Sequence, residues 1–182
     1  YSPNKKNIDF REAKEQFVHE LVNWSGLNKL PRGSRILDVG CGIGGSSRIL
    51  SKYYGFNVTG VTISTAQVKR AIELTPDELK CDFQLMDALN LRYEDGTFDG
   101  IWSVETGAHM NDKIRFAEEM LRTLRPGGYL ALADWYSRDL KAMPPSFLEK
   151  VILNQLLEQW VHPNFISITD FSNILSNSEN SS

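Results

Sequence analysis

Five polar side chains in this sequence stand at the ends of five short apolar runs: Asp38, Thr62, Asp87, Glu105 and Asp134. Each could hold a ligand or move a proton. Asp38 leads directly into Gly40-Cys41-Gly42-Ile43-Gly44-Gly45, and Ser46 to Tyr54 then reads as a helix. A strand, a glycine turn and a helix start place unpaired backbone N–H groups beside the turn. Without Cβ atoms, Gly40 and Gly42 can take positive φ and let a ligand approach the backbone closely. Such a turn suits a nucleotide-like ligand. Glu105 and His109, with Asp134 third, are groups able to accept a proton, a service worth ~10²–10⁴-fold in rate when the base is positioned. His109 also has a structural alternative, a backbone-satisfied residue on the approach to a helix.

Two ligand classes compete for the turn. Gly40, Gly42 and Gly45 satisfy G-x-G-x-x-G, the dinucleotide fingerprint, which expects an acid after the second strand to hold a ribose. Here Asn57 to Val61 is followed by Thr62-Ile63-Ser64, with no carboxylate. Asp38 disfavours a pyrophosphate and suits a cation. S-adenosylmethionine carries an ammonium and a sulfonium and has no phosphate. Cys41 reads as a small turn residue rather than a nucleophile, since nothing beside it would activate a thiol.

The elements that must position these groups follow from spacing. Phe17, Val18, Leu21, Val22 and Trp24 give a helix over Phe10 to Gly26 with one buried face. Strands are expected at Arg35 to Val39, Asn57 to Val61, Cys81 to Met86, Phe98 to Ser103 and Tyr129 to Ala133. Between them fall helices from Gly44 to Tyr54, from Ser64 to Leu74 and from Lys113 to Leu124. Ser64 and Gln67 match a capping box, which gives Gln67 a structural role as an alternative to ligand binding. Ile114, Ala117, Leu121 and Leu124 mark the inward face of the third helix, and Arg125-Pro126-Gly127-Gly128 breaks the chain after it. An apolar helix from Ser146 to Trp160 is expected to pack on the sheet, or in part to wall a greasy substrate pocket. His162-Pro163 stops it, and Phe171 to Leu175 makes a last short helix.

Alternating strands and helices specify an α/β fold, a doubly wound, mainly parallel sheet. Ligands in such sheets sit beyond the carboxyl ends of the strands, where the five polar groups lie. The organisation reads as an N-terminal loop and helix over 1–34, a ligand-binding domain over 35–175 and a disordered polar tail over 176–182.

Bulk properties narrow the classes. The chain has 182 residues, 41% of them apolar, and a net charge of −3. No basic stripe points to nucleic acid, and no apolar run approaches the ~20 residues that span a bilayer. Cys41 and Cys81 form no disulfide framework, and three scattered histidines suggest no metal. A cytoplasmic location is the expectation.

The string Ile36 to Gly45, ILDVGCGIGG, resembles motif I of the class I S-adenosylmethionine-dependent methyltransferases. The resemblance continues through Thr62, Ile63, Ser64 and Gln67, Asp87-Ala88, Phe98 to Met110, Leu124 to Gly128 and Ala133 to Trp135. It is similar there to the tocopherol and plastoquinol methyltransferases of cyanobacteria and plants, which act on substrates such as 2-methyl-6-phytylbenzoquinol. These are relatives of the cyclopropane-fatty-acid synthases.

This resemblance implies a Rossmann-like methyltransferase fold, here ending before its last two strands. It implies that Asp38, Gly40 and Gly42 meet the methionine part of the cofactor, with Thr62 and Gln67 at the ribose. Asp87 and Ala88 fall at the adenine and Ser103 beside the sulfonium, and Cys41 and Ile63 complete the set. The implied reaction is C-methylation of a prenylated benzoquinol, with a possible peripheral contact at a photosynthetic membrane. Alternatives are methyl transfer to an amine or hydroxyl of a small molecule, or an inactive cofactor-binding module. Ala108 departs from the family, standing where the tocopherol methyltransferases carry Glu. Tyr1 is all that would remain of an N-terminal aromatic segment that closes over the cofactor in relatives.

Overall fold

The computed structural model describes residues 9–160 and 165–179. The readings at Tyr1, at His162-Pro163 and over the last residues of the tail lie outside them. In order come α1 (Phe10–Ser25), β1 (Arg35–Val39), α2 (Gly45–Ile49, continued by a π-helical stretch Leu50–Tyr54), β2 (Asn57–Thr62) and α3 (Thr65–Glu73). Then follow β3 (Cys81–Leu85), β4 (Phe98–Val104), α4 (Lys113–Thr123), β5 (Leu124–Ala133), α5 (Phe147–Trp160) and α6 (Ile168–Glu179). The five strands form one parallel sheet in the order β3-β2-β1-β4-β5. The order reverses at β1, so the crevice at the switch point opens beside the glycine turn.

Each sheet face carries its own core. Leu37, Val39, Val61 and Ile101 face Phe116 and Met120 of α4 and Phe171 of α6. Ile36, Val58, Trp102 and Ala131 face Val18 and Val22 of α1 and Leu50. Full burial of each such side chain stabilises by about 1.5–3 kcal/mol, which fixes the strand register and hence the rim at the strand ends. A buried charge adds to this. Glu119 of α4 accepts from the Leu91 backbone N–H at 2.7 Å and pairs with Arg122 at 3.0 Å. Arg122 also reaches the carbonyls of Leu91 and Tyr93, both at 2.7 Å. Together they pin the β3–β4 connection to α4.

Five expectations are corrected. In α1 the buried stripe is Val18, Leu21 and Val22, whereas Phe17 and Trp24 are 43% and 79% exposed. Phe10, Phe17 and Trp24 recur every seven residues and so share a stripe of their own, turned from the sheet. In α4 the inward stripe is Phe116, Ala117, Met120 and Thr123, with Ile114 exposed. The Arg125 to Gly128 stretch does not precede β5 but lies within it, as an irregularity between the Phe98–Leu124 and Gly100–Tyr129 pairs. Further along, α5 does not pack on the sheet: Phe147 is 83% exposed, and Leu148 and Ile152 are exposed too. Its start is fixed by Ser146 and Glu149, each backbone N–H bonding the other's side chain, and by the paired bonds of Arg138 to Glu149 at 2.8 and 3.1 Å. At the C-terminus, α6 extends through 176–179, four residues into the stretch read as tail.

Candidate active site

The strand order lines the sequence-selected residues along one rim: Asp87, then Thr62, the glycine turn, Glu105, and Asp134. The turn is closed from below. Both Gly40 and Cys41 donate their N–H to the Val61 carbonyl, at 2.9 and 3.0 Å. At Gly40 a Cβ would fall on the Thr106 side chain, so β4's exit passes directly against the turn. The Thr106 hydroxyl lies 3.1 Å from the Val39 carbonyl, which Ser103 Oγ also approaches at 3.2 Å. Gly42 differs. Its φ is +56° and a Cβ there would meet nothing within 4 Å. Open space over a left-handed glycine is what a ligand lying on the backbone needs.

Asp38 lies beneath this turn rather than in the open. It is buried, on the sheet face covered by α2, and Oδ2 accepts from Ser47 Oγ at 2.5 Å. Burial pushes its carboxyl up to about 7, against the smaller opposing pull of the Ser47 bonds. Its register partner on β4 is Trp102, whose buried indole Nε1 has no hydrogen-bond partner. Ser103 is likewise wholly buried, with its hydroxyl on Val39, so it backs the turn instead of facing the crevice. Cys41 is buried too, and burial beside Asp38 pushes its thiol far up, which leaves it inert as a nucleophile.

The β2 end is a polar hook. The Thr62 hydroxyl donates to Gln67 Oε1 at 2.6 Å and accepts from the Ser64 N–H at 3.3 Å. Ser64 caps α3 through the Gln67 N–H at 3.3 Å, but the Gln67 side chain turns to Thr62 rather than back to Ser64. Only half of the expected capping box therefore forms, and the Gln67 amide stays at the rim. Ile63 is 75% exposed, and Leu85, next to Thr62 on β3, is exposed as well. They give this part of the rim an apolar floor. Asp87 takes the Leu89 N–H at 2.9 Å in a tight turn, and Ala88 is buried.

Beyond β4 the chain is held under strain. Glu105 is exposed and has φ +54°, the one non-glycine residue at positive φ among the described residues. Such a conformation costs about 1–3 kcal/mol and persists only where the surroundings impose it. Here its N–H is fixed on the Ala133 carbonyl at 2.8 Å. A single 3₁₀ turn, Gly107–His109, follows and carries the exposed His109. Asp134 does not face this space as a base. Both its oxygens lie 3.1 Å from the Ala108 N–H, and Oδ1 also accepts from the Trp135 N–H at 2.8 Å.

Three residues that support the site had not been singled out: Ser47, Thr106 and Lys113. Thr106 acts across 67 residues and Ser47 across the glycine turn, and neither left a local signal. Lys113 did leave one, since a cation in the first turn of a helix opposes the helix dipole and calls for another reason to be there.

Comparison with known proteins agrees with this geometry. The family described as a methyltransferase domain matches residues 37–132, which carry the glycine turn, the β2 hook and β4. The chain belongs to the methyltransferase domain family. Among curated relatives of this methyltransferase domain, 2-methyl-6-phytyl-1,4-hydroquinone methyltransferase of Synechocystis is 56% identical over 164 residues, 90% of this chain and 52% of that protein. The chloroplastic tocopherol O-methyltransferase of Arabidopsis thaliana is 36% identical over 173 residues, 91% of this chain and 50% of that protein. The chain thus spans about half the length of the curated relatives it matches. Among solved structures, the [4+2]-cyclase SpnF superposes with a TM-score of 0.78 at 24% identity, covering 98% of this chain and 61% of that one. That cyclase shares the fold and is named for another reaction, so the fold by itself does not fix the chemistry of this methyltransferase domain.

Proposed function

We propose that this methyltransferase domain binds S-adenosylmethionine on the glycine turn and serves the C-methylation of a prenylated benzoquinol. The observation that carries the reading is the 56% identity to the cyanobacterial hydroquinone methyltransferase. The rim fits the cofactor on its own terms: open backbone over Gly42, a polar hook at Thr62 and Gln67, and no carboxylate after β2 to favour a nicotinamide dinucleotide.

In this reading Gly40 and Gly42 admit the methionine part, and Asp38 supports the turn and biases it toward a cation from below. Thr62 and Gln67 hold the ribose, with the adenine over Ile63 beside Asp87 and Ala88. Bound there, the cofactor supplies a methyl group already activated by its sulfonium. What the protein must add is alignment, which can supply ~7–11 kcal/mol, and a base to take the quinol's phenolic proton so that the ring carbon becomes nucleophilic. Glu105 and His109 are the two candidates at the right place on the rim. Of these Glu105 is preferred, because it is exposed at the rim on a strained backbone, and such strain is kept where function requires it. Asp134 serves the turn instead. The exposed apolar side chains of α5, Phe147, Leu148 and Ile152 among them, support a peripheral contact with the membrane in which such a quinol dissolves.

The test is incubation of the protein with S-adenosylmethionine and reduced 2-methyl-6-phytylbenzoquinol, with product analysis by mass and NMR. A new ring C-methyl group supports the reading. Transfer only to oxygen or nitrogen acceptors overturns it.

A further inference from the structure

We propose that Lys113 and Asp134 are a pair of positioning residues that clamp the Gly107–His109 turn from opposite sides and so set where Glu105 and His109 stand. This rests on the reading of that turn as the catalytic edge of the site.

The turn is too short to define itself. Its backbone bonds His109 N–H to the Thr106 carbonyl and Met110 N–H to the Gly107 carbonyl, both at 3.1 Å, and isolated 3₁₀ turns have poor hydrogen-bond geometry. Lys113 Nζ donates to the carbonyls of Gly107 at 2.6 Å, Ala108 at 3.1 Å and Met110 at 2.6 Å. An ammonium has three N–H donors, and all three are used on one turn. From the other side Asp134 takes the Ala108 N–H. It lies so close that a Cβ on Gly107 would be 2.8 Å from Oδ2.

A cation thus gathers the carbonyls while an anion holds the N–H of the same peptide chain. The same carboxylate also takes the Trp135 N–H at 2.8 Å, which joins the turn to the exit of β5. Lys113 sits at the first residue of α4, where the helix dipole disfavours it. Partial burial also pulls its ammonium below the usual lysine range, with Asp134 opposing that shift. Because Asp134 follows β5 and Thr106 follows β4, the clamp ties the turn to two strands of the sheet. Its position relative to the glycine turn is then a property of the fold.

The experiment compares the wild type with Lys113→Met, which keeps the aliphatic stem, Lys113→Arg and Asp134→Ala. Amide hydrogen exchange, cofactor affinity, kcat and KM are measured for each. For Lys113→Met the expected result is at least tenfold faster exchange at Ala108 and Met110 with the β4 amides of Ile101 and Trp102 unchanged. S-adenosylmethionine affinity should stay within twofold, while kcat falls about 10–100-fold at little-changed KM, the cost of misplacing reacting groups by a fraction of an ångström to one. Arg should not rescue, because a planar fork cannot serve three carbonyls gathered about one point. Unchanged exchange at Ala108 and Met110 overturns the clamp, and so does a kcat loss matched by an equal loss of folded fraction. If Lys113→Met does not fold, Asp134→Ala, which removes the acceptor of the Ala108 N–H, carries the same exchange test from the other side. A wild type without quinol turnover overturns the substrate reading alone, since the exchange result still decides the clamp.

Discussion

Thr62 and Gln67 are joined across five residues by a 2.6 Å hydrogen bond from hydroxyl to side-chain carbonyl. The bond commits Oε1 inward and leaves the amide nitrogen as the group for a ligand's hydroxyls. Gln67→Ala should therefore weaken S-adenosylmethionine binding about 5–10-fold, the worth of one or two neutral hydrogen bonds. Since the α3 cap runs through Ser64 Oγ and the Gln67 backbone, the melting temperature should hardly move. Titration calorimetry and a thermal scan check both halves. A drop in stability at unchanged affinity would return Gln67 to a structural role.

Gly42→Val places a branched side chain in the space left open over the turn. Binding of S-adenosylmethionine should fall beyond detection, and stability by about 1–3 kcal/mol because φ at +56° is strained for valine. Circular dichroism together with calorimetry separates the two effects. Affinity within a factor of two of wild type would place the cofactor elsewhere.

Asp38 gives a pH dependence with a definite sign. Its carboxyl is lifted from 3.8 to about 7 in the folded protein. The folded state therefore holds a proton that the unfolded state has released, and stability falls as pH rises from about 4 through about 7. At 1.36 kcal/mol per pH unit the loss is on the order of 4 kcal/mol. Asp38→Asn, which cannot ionise, should flatten denaturation curves over this range. Equal slopes for variant and wild type would mean that Asp38 is already ionised in the folded protein at pH 5.

Glu105→Gly should stabilise the protein by about 1 kcal/mol, because glycine takes φ at +54° without strain. If Glu105 is the base, turnover should fall at least about 10²-fold. A gain in stability with a loss of rate is the signature of strain kept for function. Denaturant titration and steady-state kinetics on one preparation decide it, and undiminished turnover would leave His109 as the remaining candidate.

The parts legible in the sequence were those whose cause is local. The glycine turn, the strands flanking it and the Ser64 cap follow from a few neighbouring residues, and the carboxyl ends of the strands agree within a residue, whereas β5 starts five residues earlier than expected. What was not legible depends on what an apolar or charged side chain meets. Phe17 and Trp24 have the chemistry of core residues but lie on the wrong stripe of α1. Ile114 has the chemistry of the inward face of α4 but is exposed, while Glu119 is buried because it meets the Leu91 N–H across 28 residues. The apolar residues of α5 specify burial without saying against what. At the site, the position of Asp38 next to the glycines is legible, and the resemblance implies a contact with the cofactor there. That Ser47 covers it is visible only in three dimensions.

The most direct test of the central claim is calorimetric titration of the purified protein with S-adenosylmethionine, with nicotinamide adenine dinucleotide as the control. The account predicts saturable binding of S-adenosylmethionine and none of the dinucleotide. A folded protein that prefers the dinucleotide, or binds neither, would contradict it.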